Sequence, residues 1–118
     1  MGHLHHTIDY VELGVTDLAA ARAFYAAAFG WQFNDHGPAY AGIRWLDGDE
    51  EVGGLNAESA PGRGGPLVLL WSDDLDATVD AVRAAGGEVV TAPYAFPGGR
   101  RFHFTDPSGN ELAVWSSS

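Results

Sequence analysis

Adding 57 to the numbers of Asp17, Leu18, Ala20 and Gly30 lands on Asp74, Leu75, Ala77 and Gly87, and the same step carries Leu55 onto Leu112. A chain that repeats itself at this distance folds as two copies of one unit. Each copy reads as a strand, a helix opened by an Asp and closed by a Gly, and then further strands. At 118 residues the chain has room for one hydrophobic core and not for a second domain. The expectation is a single domain over 1–118, built from modules at about 7–58 and 66–116.

Residues 8–15 alternate as a strand, with Val11, Leu13 and Val15 toward the helix and Tyr10 and Glu12 on the other face. Asp17 or Thr16 caps the helix, whose Leu18, Ala21, Tyr25 and Ala28 or Phe29 recur at three- and four-residue spacing, and Gly30 ends it. Strands at 31–33, 40–46 and 52–56 complete a βαβββ unit. The Gly- and Pro-rich stretch 60–66 reads as a linker with little chemistry of its own. It lacks the Lys-Ser/Thr ending and the glycine spacing of a phosphate loop. The second unit opens with the apolar run 67–71. Asp73 or Asp74 then caps a helix with Leu75, Val79 and Val82 inward, and Gly86 and Gly87 stop it. Val89 and Val90 open a strand, 93–99 reads as a loop, 100–105 as a strand, 106–110 as a tight turn and 111–115 as the last strand.

Charge narrows the partners. The formal net charge is −10 with only six Lys plus Arg, so a basic surface for nucleic acid or anionic membrane is excluded. No run of about 20 apolar residues and no charged-then-apolar leader is present, which points to a cytoplasmic protein. Cys is absent, and with it disulfides, thiolate metal sites and a Cys nucleophile. His3, His5 and His6 read as a mobile or tag-like end that picks up metal adventitiously.

Three motifs carry a resemblance. They are Val15-x-Asp17-Leu18-x-x-Ala21 leading to Phe24-Tyr25 and Phe29-Gly30-Trp31, then Asp73-Asp74-Leu75-Asp76-Ala77 with Gly86-Gly87, then Asp106-Pro107-Ser108-Gly109-Asn110. In this order the chain resembles the vicinal oxygen chelate superfamily, which includes glyoxalase I, bleomycin-resistance proteins, fosfomycin-resistance enzymes and extradiol dioxygenases. The resemblance implies an α+β fold, with two βαβββ modules forming one cup-shaped mixed sheet, helices outside and the site inside. It also implies a homodimer, and in metal-using members one ligand in the first and last strand of each module. Counting from the motifs places those positions at Tyr10, Asn56, Leu67 and Ala113. Leu and Ala have no lone pair, so no metal and no other cofactor is expected. A register slip of two residues would put Glu12 and Glu111 there instead.

The alternation that sends Tyr10 into the cup also sends Glu12, Glu111 and Trp115. Arg101 and His103 join them if the 106–110 turn sets the hairpin register that way, with Tyr40 and Trp71 at the rim. Each residue also has a plain structural reading: Tyr10 as an aromatic filler, Glu12 and Glu111 as solvated strand ends, His103 as a packed strand residue, Arg100 and Arg101 as partners of the many acids. Three functions compete. The first is a metal-free protein of the glyoxalase and bleomycin-resistance type, binding a small partly aromatic or carboxylate-bearing molecule. The second is a lyase or isomerase using His103 with Glu12 or Glu111 as acid and base. The third is a metal-dependent lyase or dioxygenase with a shifted ligand set of Glu12, His103 and Glu111.

Overall fold

The computed structural model describes residues 3–118. Its elements run β1 (Val11–Gly14), α1 (Leu18–Phe29), β2 (Phe33–Asp35), β3 (Tyr40–Arg44), β4 (Glu51–Asn56), β5 (Leu69–Trp71), α2 (Leu75–Ala84), β6 (Glu88–Phe96), β7 (Gly99–Thr105) and β8 (Glu111–Ser116). The fold is α+β with two βαβββ modules. Each module closes its own four-stranded mixed sheet, in the orders β1-β4-β3-β2 and β5-β8-β7-β6. In each, the first and last strands run parallel and the other pairs antiparallel.

Both helices start where their sequence says they should. The Asp17 carboxylate accepts from the Ala20 backbone N–H at 3.0 Å, and Asp74 accepts from Ala77 at 3.1 Å. Each such cap is worth about 1 kcal/mol. Gly30 stops α1 at φ 73°, a left-handed conformation that glycine adopts without strain.

One core serves both modules. Val15, Ala21, Phe24, Tyr25, Ile43 and Leu55 of the first pack with Leu75, Val79, Val82, Phe102, Phe104, Leu112 and Val114 of the second. Phe24 is not on the predicted helix stripe, yet it is buried. It meets Phe104 of the other module with ring centroids 6.0 Å apart, a contact that no pattern within one module reveals.

The structure corrects four local readings. The first strand begins at Val11 instead of 8, and Ile8 is exposed. The strand after α1 occupies 33–35, because Trp31 stacks flat on Tyr25, centroids 4.5 Å apart, and stays with the helix. The stretch 93–96, read as loop, belongs to β6. Pro93 is tolerated there because β6 is an edge strand and its pairing with β7 shifts register between Thr91 and Tyr94.

The fourth correction concerns the repeat. In the first module Gly14 pairs with Asn56, and in the second Trp71 pairs with Trp115. The step is 57 at the first strand but 59 at the last, since 115 − 56 = 59. The first-module counterpart of Ala113 is therefore Gly54 and not Asn56.

Candidate functional site

Strand register decides which side chains share a face. β7 and β8 pair His103 with Ala113 and Arg101 with Trp115, while Phe102 and Phe104 turn the other way into the core. β5 adds Leu69 and Trp71 beside Ala113 and Trp115, and β6 adds Tyr94 opposite Arg101. The face of the second sheet away from its helix thus carries Arg101, His103, Tyr94, Trp71 and Trp115 together.

Aromatic rings dominate one half of that face. Trp71 and Trp115 meet edge to face at 4.8 Å, and Phe96 packs against Trp115 at 6.1 Å. The Arg101 guanidinium lies 5.5 Å from the ring centres of both Tyr94 and Phe96. Among the described residues Arg101 has no carboxylate partner, in a chain of net charge −10. By contrast Arg100 pairs with Asp76 at 3.4 Å and Arg63 with Glu111 at 2.9 Å.

The other half is a hydrogen-bonded chain. His103 Nδ1 lies 2.9 Å from Glu111 Oε2, and its Nε2 lies 3.1 Å from the Tyr94 hydroxyl. Arg63 Nε donates to Glu111 Oε1 at 2.9 Å, and Arg101 Nε donates to the Tyr94 hydroxyl. The His103 and Glu111 side chains are 14% and 21% exposed, so this chain is screened from bulk water but not sealed from it.

The first sheet presents a different cluster. The Tyr10 and Tyr40 hydroxyls are 2.5 Å apart, Tyr10 donates to Glu51 at 3.4 Å, and Asn34 donates to Glu51 at 3.1 Å. His36 Nε2 sits 2.5 Å from the same carboxylate. Asn56 donates to Glu12 at 3.2 Å. Desolvation first, and then neighbouring acids, hold the Tyr10 phenol above its ordinary range, and desolvation raises Tyr40 further. Glu51 is pulled below the usual carboxylate range, mainly by His36 and then by Asn34. The two rings close over Gly54, where a Cβ would meet the Tyr40 hydroxyl at 2.0 Å and that of Tyr10 at 2.7 Å and so displace them.

Between the modules runs a cleft of about 500 Å³, walled by Glu12, Arg63, Leu67, His103, Asn110 and Glu111 among others. It brings Glu12, His103 and Glu111 to one volume. Tyr10, Tyr40, Arg101, Trp71 and Trp115 are not among its walls. A hollow of about 520 Å³ beside α1 is more open and contains only the surface pair Arg22 and Asp35 as charged groups.

The linker reading needs correction here. Gly62 N donates to Asn110 Oδ1 at 2.9 Å, and Arg63 clamps Glu111, so the 60–66 stretch forms part of the cleft and binds its carboxylate. Glu111 is held below the usual range, by the Arg63 hydrogen bond first and by His103 second. A carboxyl whose folded pKa is depressed stabilises the fold above its unfolded pKa and loses that contribution as pH falls through the folded value. In Arg63→Gln the Glu111 titration midpoint, followed by carboxyl carbon NMR, is expected to move up toward ordinary glutamate. The acid-unfolding midpoint should move to higher pH with it.

Sequence reasoning missed Tyr94, Arg63, His36 and Glu51. Tyr94 lay in a stretch read as loop; reading 88–96 as a strand would have set it on the face of Arg101. Arg63 had a composition signal, being one of only six cations.

The residues at the family's ligand positions do not fit a metal ion. In structural register these are Tyr10, Gly54, Leu67 and Ala113, of which three side chains offer no donor atom. The shifted set does no better. Both His103 nitrogens are engaged, and Glu111 is shared between His103 and Arg63. Among the described residues, no three His, Asp or Glu side chains are grouped as a metal site.

Comparison with known proteins adds a frame. The sequence model of the Glyoxalase/Bleomycin resistance protein/Dioxygenase superfamily matches residues 7–114. CFP32 of Mycobacterium tuberculosis, named as a glyoxylase, is 32% identical over 95% of this chain and 46% of its own length. The anthracycline biosynthesis protein DnrV of Streptomyces peucetius is 34% identical over 92% of this chain and 40% of its own. The chain thus spans less than half the length of these curated relatives. Among solved structures, TnmS3, an antibiotic binding protein from Streptomyces sp. CB03234, superposes with a TM-score of 0.71 at 23% identity, covering 98% of this chain and all of that one.

Proposed function

The chain belongs to the Glyoxalase/Bleomycin resistance protein/Dioxygenase superfamily, and from that premise we propose that it binds a small planar aromatic carboxylate on the open face of its second sheet. The observation that carries this reading is Arg101. It is a guanidinium held over two aromatic rings without a carboxylate partner among the described residues, in a strongly acidic chain. Arg forms two parallel hydrogen bonds to a carboxylate, and the Trp71, Trp115 and Phe96 rings supply the apolar surface for the ligand's plane. The names of DnrV and TnmS3 agree with aromatic or antibiotic-like ligands in this fold. Cytoplasmic residence, no use of nucleic acid or anionic membrane, and a homodimer belong to the same reading. The open backbone edge of strand β5 supports the last.

Tryptophan fluorescence titration with 2-naphthoate tests it. Binding is expected for the carboxylate and at least tenfold weaker binding for neutral 2-naphthamide. Arg101→Met should remove that preference. Equal binding of acid and amide, or an unchanged preference in Arg101→Met, would overturn the assignment.

A further inference from the structure

We infer that Tyr94 is an acid–base residue, whose phenol moves a proton to and from the carbon beside the carbonyl of an aryl keto acid bound at Arg101. The inference rests on the aromatic carboxylate reading and adds a reaction to it.

The direction of every hydrogen bond in the Tyr94 chain follows from its ends. Glu111 is fixed as a carboxylate by Arg63, so it only accepts, and His103 must present Nδ1–H to it. With the ring neutral, that leaves the Nε2 lone pair facing Tyr94, 3.1 Å away, and the phenol O–H donates to it. At the other end Arg101 has no acceptor atoms and donates Nε–H to the phenol oxygen. Tyr94 is therefore a phenol with a base ready to take its proton and a cation ready to stabilise the phenolate. Arrangements of this kind activate a weak acid–base group.

The first module shows what Tyr94 would look like without that help. Tyr10 and Tyr40 bond to each other, their neighbours are the carboxylates of Glu51 and Glu12, and no cation reaches either hydroxyl among the described residues. Negative charge on either is opposed. Among the described residues, only the second module couples a tyrosine to both an Arg and a His–Glu pair.

The step balances without any co-reactant. The ligand's C–H bond breaks, its proton passes to the Tyr94 oxygen, and the phenol's own proton passes to His103 Nε2. The imidazolium so formed faces the Glu111 carboxylate. The electron pair left by the proton forms the enolate, which the free guanidinium nitrogens of Arg101 hold together with the ligand carboxylate. Returning a proton to carbon restores the ketone; returning it to oxygen gives the enol. In the lyase or isomerase reading the base facing the ligand is thus Tyr94, and His103 and Glu111 are positioning residues behind it.

Phenylpyruvate is the probe, because it joins an aromatic ring, a carboxylate and a carbon acid next to a ketone. Deuterium uptake at its C3 position in D₂O is followed by proton NMR beside the buffer-only rate, and binding is read separately by tryptophan fluorescence. Protein-dependent exchange is expected. Tyr94→Phe and His103→Gln should each lose at least about 100-fold of it, the usual scale of one general base, with binding within about threefold of the original. Glu111→Gln should slow exchange and also convert the His103 ring, read by long-range nitrogen-15 NMR, from the Nδ1–H tautomer to a mixture. Binding without exchange, or exchange that survives Tyr94→Phe, overturns the acid–base role and leaves the binding reading standing. Phenylpyruvate that neither binds nor exchanges overturns both.

Discussion

Asp106→Ala is expected to lower the thermal midpoint by roughly 10–20 °C, corresponding to about 3–5 kcal/mol. Its carboxylate is buried and accepts four hydrogen bonds. Tyr25 donates to Oδ2 at 2.8 Å and Asn110 Nδ2 to the same oxygen at 3.0 Å, while the Ser108 and Asn110 backbone N–H groups reach Oδ1 at 2.9 Å each. Removing the acceptor leaves all four donors without it, three of them buried and the Ser108 N–H partly so, and a buried unsatisfied donor costs about 1–3 kcal/mol. Water entering the gap would recover part of that sum. Tyr25→Phe removes one donor and leaves the carboxylate three, so its cost should be nearer 1–2 kcal/mol. The contact also reaches the site. The 106–110 turn sets the pairing of β7 with β8, and Asn110 Nδ2 ties it to the Gly14 carbonyl of the first module. Calorimetry of the two variants checks the ranking; an Asp106→Ala midpoint within about 5 °C of the original would mean that this network holds little.

Phe104→Ala is the second large effect, at about 3–5 kcal/mol, the range for deleting a fully buried aromatic side chain. Its ring lies 6.0 Å from that of Phe24 and 5.6 Å from that of Phe29, both on α1, and 6.2 Å from Phe102 in its own strand. A cavity there is therefore shared by the two modules. We propose that the modules form one cooperative unit, so the variant should unfold in a single transition at a lower midpoint, with calorimetric and van't Hoff enthalpies equal. Two resolved transitions would instead make each module its own folding unit.

Much of this was legible in the residues. Asp17 and Asp74 cap their helices, Gly30 closes the first, and the alternation around 111–115 sends Leu112 and Val114 inward. These are local rules, in which a residue's neighbours at two, three or four positions determine its side of the element. They were enough to reach the elements, and the resemblance of three motifs supplied the fold and the family. They also placed Glu12, His103 and Glu111 as candidates, and the structure sets all three around one cleft.

The rest depended on distance along the chain. Whether Arg101 and His103 share a face with Trp115 is set by one hairpin register, and the sequence of the turn allows more than one. The two-residue growth of the second copy is absorbed between its helix and its last strand, so a constant repeat misplaced Asn56. Arg63, read as linker, acquires its role only when Glu111, 48 residues away, is folded against it. The sequence by itself determined the elements, through short-range periodicity and capping, the duplication, through its 57-residue repeat, and the family, through the resemblance of three motifs. Only the tertiary structure decided which charges meet, because an ion pair or a proton path depends on separations of about 3 Å between atoms that lie up to 48 residues apart along the chain.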